Sequence, residues 1–247
     1  MRESNLSFGL ATDHDVATIY SWLLEHDRRE VYGSFLCNWN LTQRVHDEHQ
    51  LFVATLEDEP VAYIWGDFGI LEVREDLRKK GVGKQLVEYA MQRAISSGRI
   101  AVSIECKPES SIPFWKKMGF EFHNNNEASF VFEKYLDVPT DGSPVNVKIM
   151  FYPEQAKWIS ETVPIKSFSP TAVLDNQGVI HFQNRVAAYV RSENYKGDAM
   201  IKICVDGESV YFDKAKYSEA SAIGVAYNSG AFYIDKVHNK ALCRSSR

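Results

Sequence analysis

Apolar and polar positions follow two periods along the first half of the chain. Residues 7–12 (SFGLAT) read as a short strand ending at a turn. Asp13 or Asp15 then stands where a helix cap belongs, ahead of Val16, Ile19, Tyr20 and Leu23 at helical spacing. Residues 28–48 are polar and aromatic with no clear period. Residues 50–56 (QLFVATL) and 61–66 (VAYIWG) are apolar runs on either side of the polar turn Glu57-Asp58-Glu59-Pro60, which is a hairpin pattern, and 69–74 (GILEVR) is a third strand candidate. After a turn at 78–83 the period returns to that of a helix. Leu86, Val87, Ala90, Met91, Ala94 and Ile95 share one face, and Gly98 lies past its end. Residues 100–106 (IAVSIEC) predict a buried strand broken at Pro108. Residues 110–118 predict a short helix capped by Ser110 or Ser111 and stopped by Gly119. Strands follow at 120–122 and 129–135.

The stretch 138–144 (VPTDGSP) holds two prolines, a glycine and small polar residues, the composition of a linker. Beyond it the rhythm is that of antiparallel strands. Residues 145–151 alternate, and Pro153 suits the first turn of a short helix reaching about Val163. Hairpins are predicted over 172–182, around Asp206-Gly207 in 199–212, and around Asn228-Ser229-Gly230 in 222–235. The expected organisation is therefore an α/β domain at 1–137, a linker at 138–144, and a smaller, β-rich domain at 145–247.

Composition fits a globular chain, with 45% apolar residues and no apolar run long enough to cross a bilayer. The start, MRESNLSFGLATDHD, has no apolar stretch like that of a secretory signal, so a cytoplasmic protein is expected. Cys37, Cys106, Cys204 and Cys243 are widely spaced, which fits reduced thiols rather than a disulfide framework or a zinc site. The seven histidines show no ligand spacing; only His46 and His49 stand three apart, without a third ligand, so no metal is expected. A net charge of −5 argues against a general nucleic-acid-binding surface. The charge is uneven: residues 1–137 hold 15 Lys and Arg against 22 Asp and Glu, whereas 138–247 hold 13 against 11. Within the acidic half, Arg78, Lys79, Lys80 and Lys84 form one basic knot.

That knot coincides with Gly81 and Gly83, directly after a strand and at the opening of a helix. Glycines allow a tight turn and close approach of a ligand to the backbone. The unpaired N–H groups of the first helical turn and the helix dipole then favour an anion such as pyrophosphate. The spacing is neither GxxxxGK[ST] nor GxGxxG, since Leu86 stands three after Gly83.

The run Val73-Arg74-Glu75-Asp76-Leu77-Arg78-Lys79-Lys80-Gly81-Val82-Gly83-Lys84 resembles motif A of the GNAT superfamily of N-acetyltransferases. Phe114-Trp115-Lys116-Lys117-Met118-Gly119-Phe120 resembles the family's motif B, and Gly9-Leu10-Ala11-Thr12-xx-Asp15 its first strand and turn. The resemblance covers residues 7–135. It implies a mixed, mostly antiparallel sheet with helices on both faces, and acetyl-coenzyme A bound where two strands splay apart. The implied cofactor contacts are Leu71 and Val73 to the pantetheine arm, and Arg78, Lys79, Lys80, Gly81, Val82, Gly83 and Lys84 around the pyrophosphate. Ser111 and Trp115 follow from motif B. The implied activity is direct N-acetyl transfer to a primary amine of a small molecule or polypeptide. Trp115 departs from the tyrosine that usually protonates the leaving thiolate, so Tyr135, Cys106, Ser110 or water takes that place. This departure also motivates the alternative of a non-catalytic acyl-coenzyme-A sensor.

Glu72, Asp67 and Glu105 stand on or beside the strands of the implied cleft and are the candidates for a general base, Glu72 and Glu105 foremost. Strand alternation sets Glu72 on the face opposite Leu71 and Val73. The ordinary reading of each is a surface carboxylate. His123, in a polar loop, reads as a solvated turn residue. The second domain resembles no family; acceptor selection, dimerisation and partner binding are its candidate roles. Its aromatics, including Tyr195 and Tyr217, read as core.

Overall fold

A computed structural model describes residues 6–31, 34–159, 161–190, 199–216 and 218–238; Cys243, Tyr195 and Tyr217 lie outside these. The chain divides into two compact units, Met1–Phe130 and Val131–Arg247.

The first unit opens with β1 (Leu6–Leu10), α1 (Asp13–Arg28), α2 (Trp39–Asp47), β2 (Leu51–Leu56), β3 (Glu59–Trp65) and β4 (Leu71–Val73). Then come α3 (Val82–Ser96), β5 (Ala101–Glu105), α4 (Ile112–Lys117), β6 (Glu121–Phe122) and β7 (Glu127–Val131). One sheet has the order β1-β2-β3-β4 and a second the order β5-β7-β6. The first sheet is antiparallel throughout, and its β2–β3 turn puts Glu57 and Asp58 at positive φ. Alternation along β2 shows how the sheet is covered. Leu51 and Val53 join Ile19 and Leu23 of α1, while Phe52 meets Tyr89 of α3 edge-on at 5.8 Å. The two helices thus cover opposite faces, and β3 is buried on both: Val61, Ala62, Tyr63 and Ile64 are each almost fully enclosed.

Helix ends differ from expectation in instructive ways. The cap of α1 is Thr12: its Oγ1 accepts the Asp15 N–H at 3.2 Å, and Asp15 Oδ2 accepts the Thr12 N–H at 2.8 Å. Asp15 is the reciprocal member of this box rather than the cap itself. Helix α2 falls in the stretch that showed no period, because only Thr42 and Val45 of its nine residues turn fully inward. The end of α3 follows the glycine signal. Gly98 has φ +78, its N–H bonds to Ile95 O, and the Arg99 N–H reaches Ala94 O. Ile95, expected on the buried face, is exposed. Ser111 holds the N-cap position of α4 as expected, but its side chain makes no capping bond, because a 3₁₀ turn over Glu109–Ser111 runs into the helix and leaves Ser111 in helical conformation.

The second unit is an antiparallel sheet. It comprises β8 (Ser143–Tyr152), β9 (Lys166–Phe168), β10 (Thr171–Leu174), β11 (Val179–Tyr189), β12 (Met200–Val205) and β13 (Glu208–Lys214). A single-turn α5 (Ser218–Ala222) precedes β14 (Val225–Asn228) and β15 (Ala231–His238). The order is β13-β12-β8-β10-β11-β15-β14, with β9 also paired to β8. The last two residues of the breaker-rich stretch, Ser143 and Pro144, already belong to β8. Two predicted hairpins turn on positive-φ pairs, Asp206-Gly207 and Ser229-Gly230. Ile149, Phe151, Ile180, Phe182, Ile201, Ile203 and Ile234 form the core. Phe182, Tyr189 and Phe232 are buried as expected of core aromatics, whereas Phe212 and Tyr227 are exposed.

The helix expected over 153–163 is only a 3₁₀ turn at Glu154–Lys157. Pro164 disfavours helical conformation at Val163, and the Ile165 N–H bonds to Phe151 O at 2.7 Å, which draws the chain back to the sheet.

The Thr12–Asp15 box generates a stability prediction. Thr12→Ala should lower unfolding free energy by about 1 kcal/mol, the usual worth of an N-cap, read as a lower urea midpoint with unchanged m-value.

Candidate functional site

The two sheets of the first unit part between β4 and β5. A cleft of about 890 Å³ lies there, lined by β4, the end of β5, the turn before α3 and the start of α4. The edge of β4 toward the cleft is open. Arg74 N–H bonds to Val61 O and Trp65 N–H to Ile70 O, and Glu72 stands opposite Tyr63. By antiparallel alternation, the main-chain groups of Leu71 and Val73 point away from β3. One of them is engaged: Arg78 Nε donates to Val73 O at 3.0 Å.

Two residues of the turn before α3 have left-handed backbone, Lys79 at φ 62 and Gly81 at φ 88. Helix α3 starts at Val82, so the N–H groups of its first turn have no partner inside the helix. Gly83 fits a tight junction: a Cβ there would stand 3.2 Å from Val73 Cγ2 and 3.9 Å from the Phe114 ring. The turn therefore offers main-chain donors, a helix N-terminus and no obstructing side chain at its second glycine. Lys84 reaches Glu88 at 3.7 Å, an exposed pair that leaves its charge available.

Of the expected contacts, Leu71, Val73, Arg78, Lys79, Gly81 and Gly83 line the cleft, as do Lys84, Ser111 and Trp115. Lys80 and Val82 are not on its lining; Val82 is buried under the turn and Lys80 faces solvent. Trp115 is buried and packs edge-on against Phe114 and Phe120, at 5.0 and 4.9 Å between ring centres. Tyr135 belongs to the second unit and is exposed. Cys106 is enclosed, and burial pushes its thiol up.

The carboxylate candidates separate sharply. Asp67 is exposed and accepts the Gly69 N–H at 2.8 Å. Glu105 is exposed on the cleft rim and pairs with Lys107 at 2.7 Å. Glu72 is only 3% exposed, which corrects its reading as a surface group. Its Oε2 accepts the Phe35 N–H at 3.0 Å and the Tyr63 hydroxyl at 3.2 Å. Its Oε1 lies 3.6 Å from Arg78 Nη2 and 3.7 Å from His26 Nδ1. Burial pushes the Glu72 carboxyl up to about 7, against smaller opposing effects of the Phe35 N–H, Arg78 and Tyr63. The Tyr63 hydroxyl is raised too, first by burial and then by Glu72. A carboxyl on a cleft wall that titrates near neutrality can accept a proton there.

Sequence reading missed the neighbours that create this state. His26 does continue the inward stripe of Ile19 and Leu23 on α1, and that spacing was its available signal. Phe35 contributes through its main chain, which carries no residue signature. His123, read as a solvated turn residue, instead holds Ser129 Oγ at 2.7 Å. His46, on the side of α2 toward α1, pairs with Asp13 at 2.9 Å.

Residues 47–122 match the family described as "Acetyltransferase (GNAT) domain". Among solved structures, the chain is similar to a GNAT family acetyltransferase from Brucella melitensis in complex with acetyl-CoA. Identity is 14%, 56% of this chain and 93% of that one are covered, and the TM-score is 0.41. It is also similar to the PaiA N-acetyltransferase from Thermoplasma acidophilum in complex with coenzyme A, at 12% identity over 52% and 99% of the two chains, TM-score 0.43. N-acetylglutamate synthase from Neisseria gonorrhoeae matches at 10% identity over 52% and 35%, TM-score 0.41. No curated protein matches the sequence.

The Glu72 environment predicts how stability depends on pH. Its folded carboxyl holds a proton up to about 7 and its unfolded one only to about 4.5. Between these values the unfolded chain binds fewer protons, so stability falls as pH rises through this window. The contribution of this group reaches about 3 kcal/mol at ~1.36 kcal/mol per unit. Chemical denaturation of wild type and Glu72→Gln from pH 4 to 8 should show the variant with a flatter profile, gaining on wild type as pH rises.

Proposed function

We propose that the first unit, whose residues 47–122 match the GNAT acetyltransferase domain, moves an acetyl group from acetyl-coenzyme A directly to a primary amine. One observation carries the reading: a single cleft holds both an anion-binding helix start and a buried carboxyl that titrates near 7. The first-turn N–H groups of α3, with Lys79 and Lys84 beside them, suit the pyrophosphate. The open edge of β4 at Leu71 and Val73 suits the amides of the pantetheine arm. Coenzyme A supplies the acetyl thioester; the protein holds it and manages the protons.

Glu72 is assigned as the general base. In its ionised form it takes a proton from the acceptor nitrogen as that nitrogen bonds to the thioester carbonyl carbon. The carbon–sulfur bond then breaks, and the leaving sulfur takes up a proton. Glu105, paired with Lys107 on the rim, is assigned to the approach of the acceptor rather than to proton transfer. A covalent acyl-enzyme is disfavoured by Cys106, whose raised thiol stays protonated at neutral pH and lies off the cleft lining. Trp115, an indole donor without a useful acidity, packs the wall. Its place at the usual tyrosine position supports one competing reading, a protein that binds acyl-coenzyme A without turnover. We assign to the second unit, on its composition and sheet, a part in acceptor selection.

Two measurements test this. The double substitution Lys79→Glu with Lys84→Glu, at two exposed side chains of the cleft lining, should strongly weaken coenzyme A binding by calorimetry with normal far-ultraviolet circular dichroism; unchanged affinity overturns the cofactor site. With a panel of primary amines, kcat/KM should rise with pH through about 7 as Glu72 ionises. Glu72→Gln should lose roughly 10²–10⁴-fold, the usual worth of a general base. Tight binding with no turnover of any amine would favour the sensor reading.

A further inference from the structure

His26 has no part in the proposed reaction so far, yet it shares an enclosure with the base. It sits on the inward stripe of α1, 3% exposed, with the Trp22 ring 5.1 Å away on the same helix. Its Nδ1 is buried and finds no hydrogen-bond partner, and the same holds for Glu72 Oε1. These two atoms face each other across 3.7 Å. Unpaired buried polar atoms are costly, on the order of 1–3 kcal/mol each, so a pair of them aimed at one gap is unusual in a well-packed core. Glu72 Oε2, in contrast, has two donors, the Phe35 N–H and the Tyr63 hydroxyl.

The asymmetry has a chemical meaning. An ionised carboxylate accepts only, and Oε2 is supplied with donors for that state. A protonated carboxyl needs an acceptor for its O–H. Among the neighbours of Oε1, Arg78 can only donate, and neutral His26 can accept at Nδ1 if its proton is on Nε2. We propose that His26 is a positioning residue for Glu72: its Nδ1 accepts the hydrogen bond of the protonated Oε1 and so holds the proton that Glu72 has taken from the acceptor amine. The inference rests on the reading of Glu72 as base.

The balance is simple. The acceptor nitrogen loses one proton, which passes by way of water to the enclosed Oε1, and the O–H points to Nδ1 with His26 neutral throughout. Closing the gap by under an ångström makes an ordinary hydrogen bond. When the proton departs, Arg78 on the other side of Oε1 faces the restored charge. His26 is suited to stay neutral because burial lowers its affinity for a proton, as does Arg78. The remaining charged groups near it are Arg29 at the end of its own helix and Glu75 and Asp76 in the turn after β4. Arg29 pairs with Glu75 and Asp76 with Arg74, so these are largely neutralised among themselves.

The test is read on the full chain by NMR, without substrate, and then by kinetics. With ¹³C-labelled glutamate and ¹⁵N-labelled histidine, Glu72 should titrate near 7, and below that pH His26 should show an unprotonated Nδ1 and a protonated Nε2. His26→Leu should move the Glu72 midpoint down by about one unit, because the protonated form loses its acceptor. His26→Gln, whose side-chain oxygen can accept, should restore most of it. The acid limb of kcat/KM should move in parallel. A proton on Nδ1 in the wild type, or an unmoved Glu72 midpoint in a folded His26→Leu protein, overturns the proposal. If the midpoint moves but Glu72→Gln keeps full activity, Glu72 is not the base: the His26 contact stands, and its role in transfer is rejected.

Discussion

The guanidinium of Arg78 ties the site together. Its Nε holds Val73 O, its Nη2 stands near Glu72 Oε1, and its own place in the chain fixes the start of the turn that leads to α3. One planar group thus sets the distance between a strand edge, a buried carboxyl and a helix N-terminus. A guanidinium donates in fixed directions, so the bond to Val73 O also orients the plane that faces Glu72. It also explains why a carboxyl this deep is tolerated. Without the Phe35 N–H and this cation beside it, burial would drive its proton affinity further up.

A second constraint is spatial. α3 begins so close to β4 that a Cβ on its second residue would press on the Val73 side chain at 3.2 Å and touch the Phe114 ring at 3.9 Å. The same closeness brings the first-turn N–H groups to the mouth of the cleft. Turn, strand and the aromatic wall of α4 therefore depend on one another, and a bulky residue at 83 would displace all three.

Much of this was legible in the sequence. The two periods gave the strands around 53, 63 and 103 and the helix at 82–96, and the glycines marked the turn before α3 and the end of that helix. Legibility failed where one residue type serves several geometries. Thr12, not a neighbouring aspartate, caps α1, because the box needs its hydroxyl and the Asp15 carboxylate together. α2 has too few inward positions to register as a period. The helix expected from Pro153 stops as a 3₁₀ turn at Lys157, short of Pro164. The state of Glu72 was the hardest to read. Alternation set it apart from Leu71 and Val73, but its depth depends on Tyr63, His26 and a main-chain N–H at Phe35, brought in from three distant parts of the chain.

The edge of β4 bears on how this protein keeps itself from others. An open strand edge is a template on which any extended chain can add itself. Here the outward main chain is that of Leu71 and Val73, with Val73 O already held by Arg78, and the end of β5, the start of α4 and the loop at Phe68 line the cleft beside it. So short an edge offers a joining strand few of the repeated bonds that pairing needs, and its length alone limits the hold it can give to an extended chain.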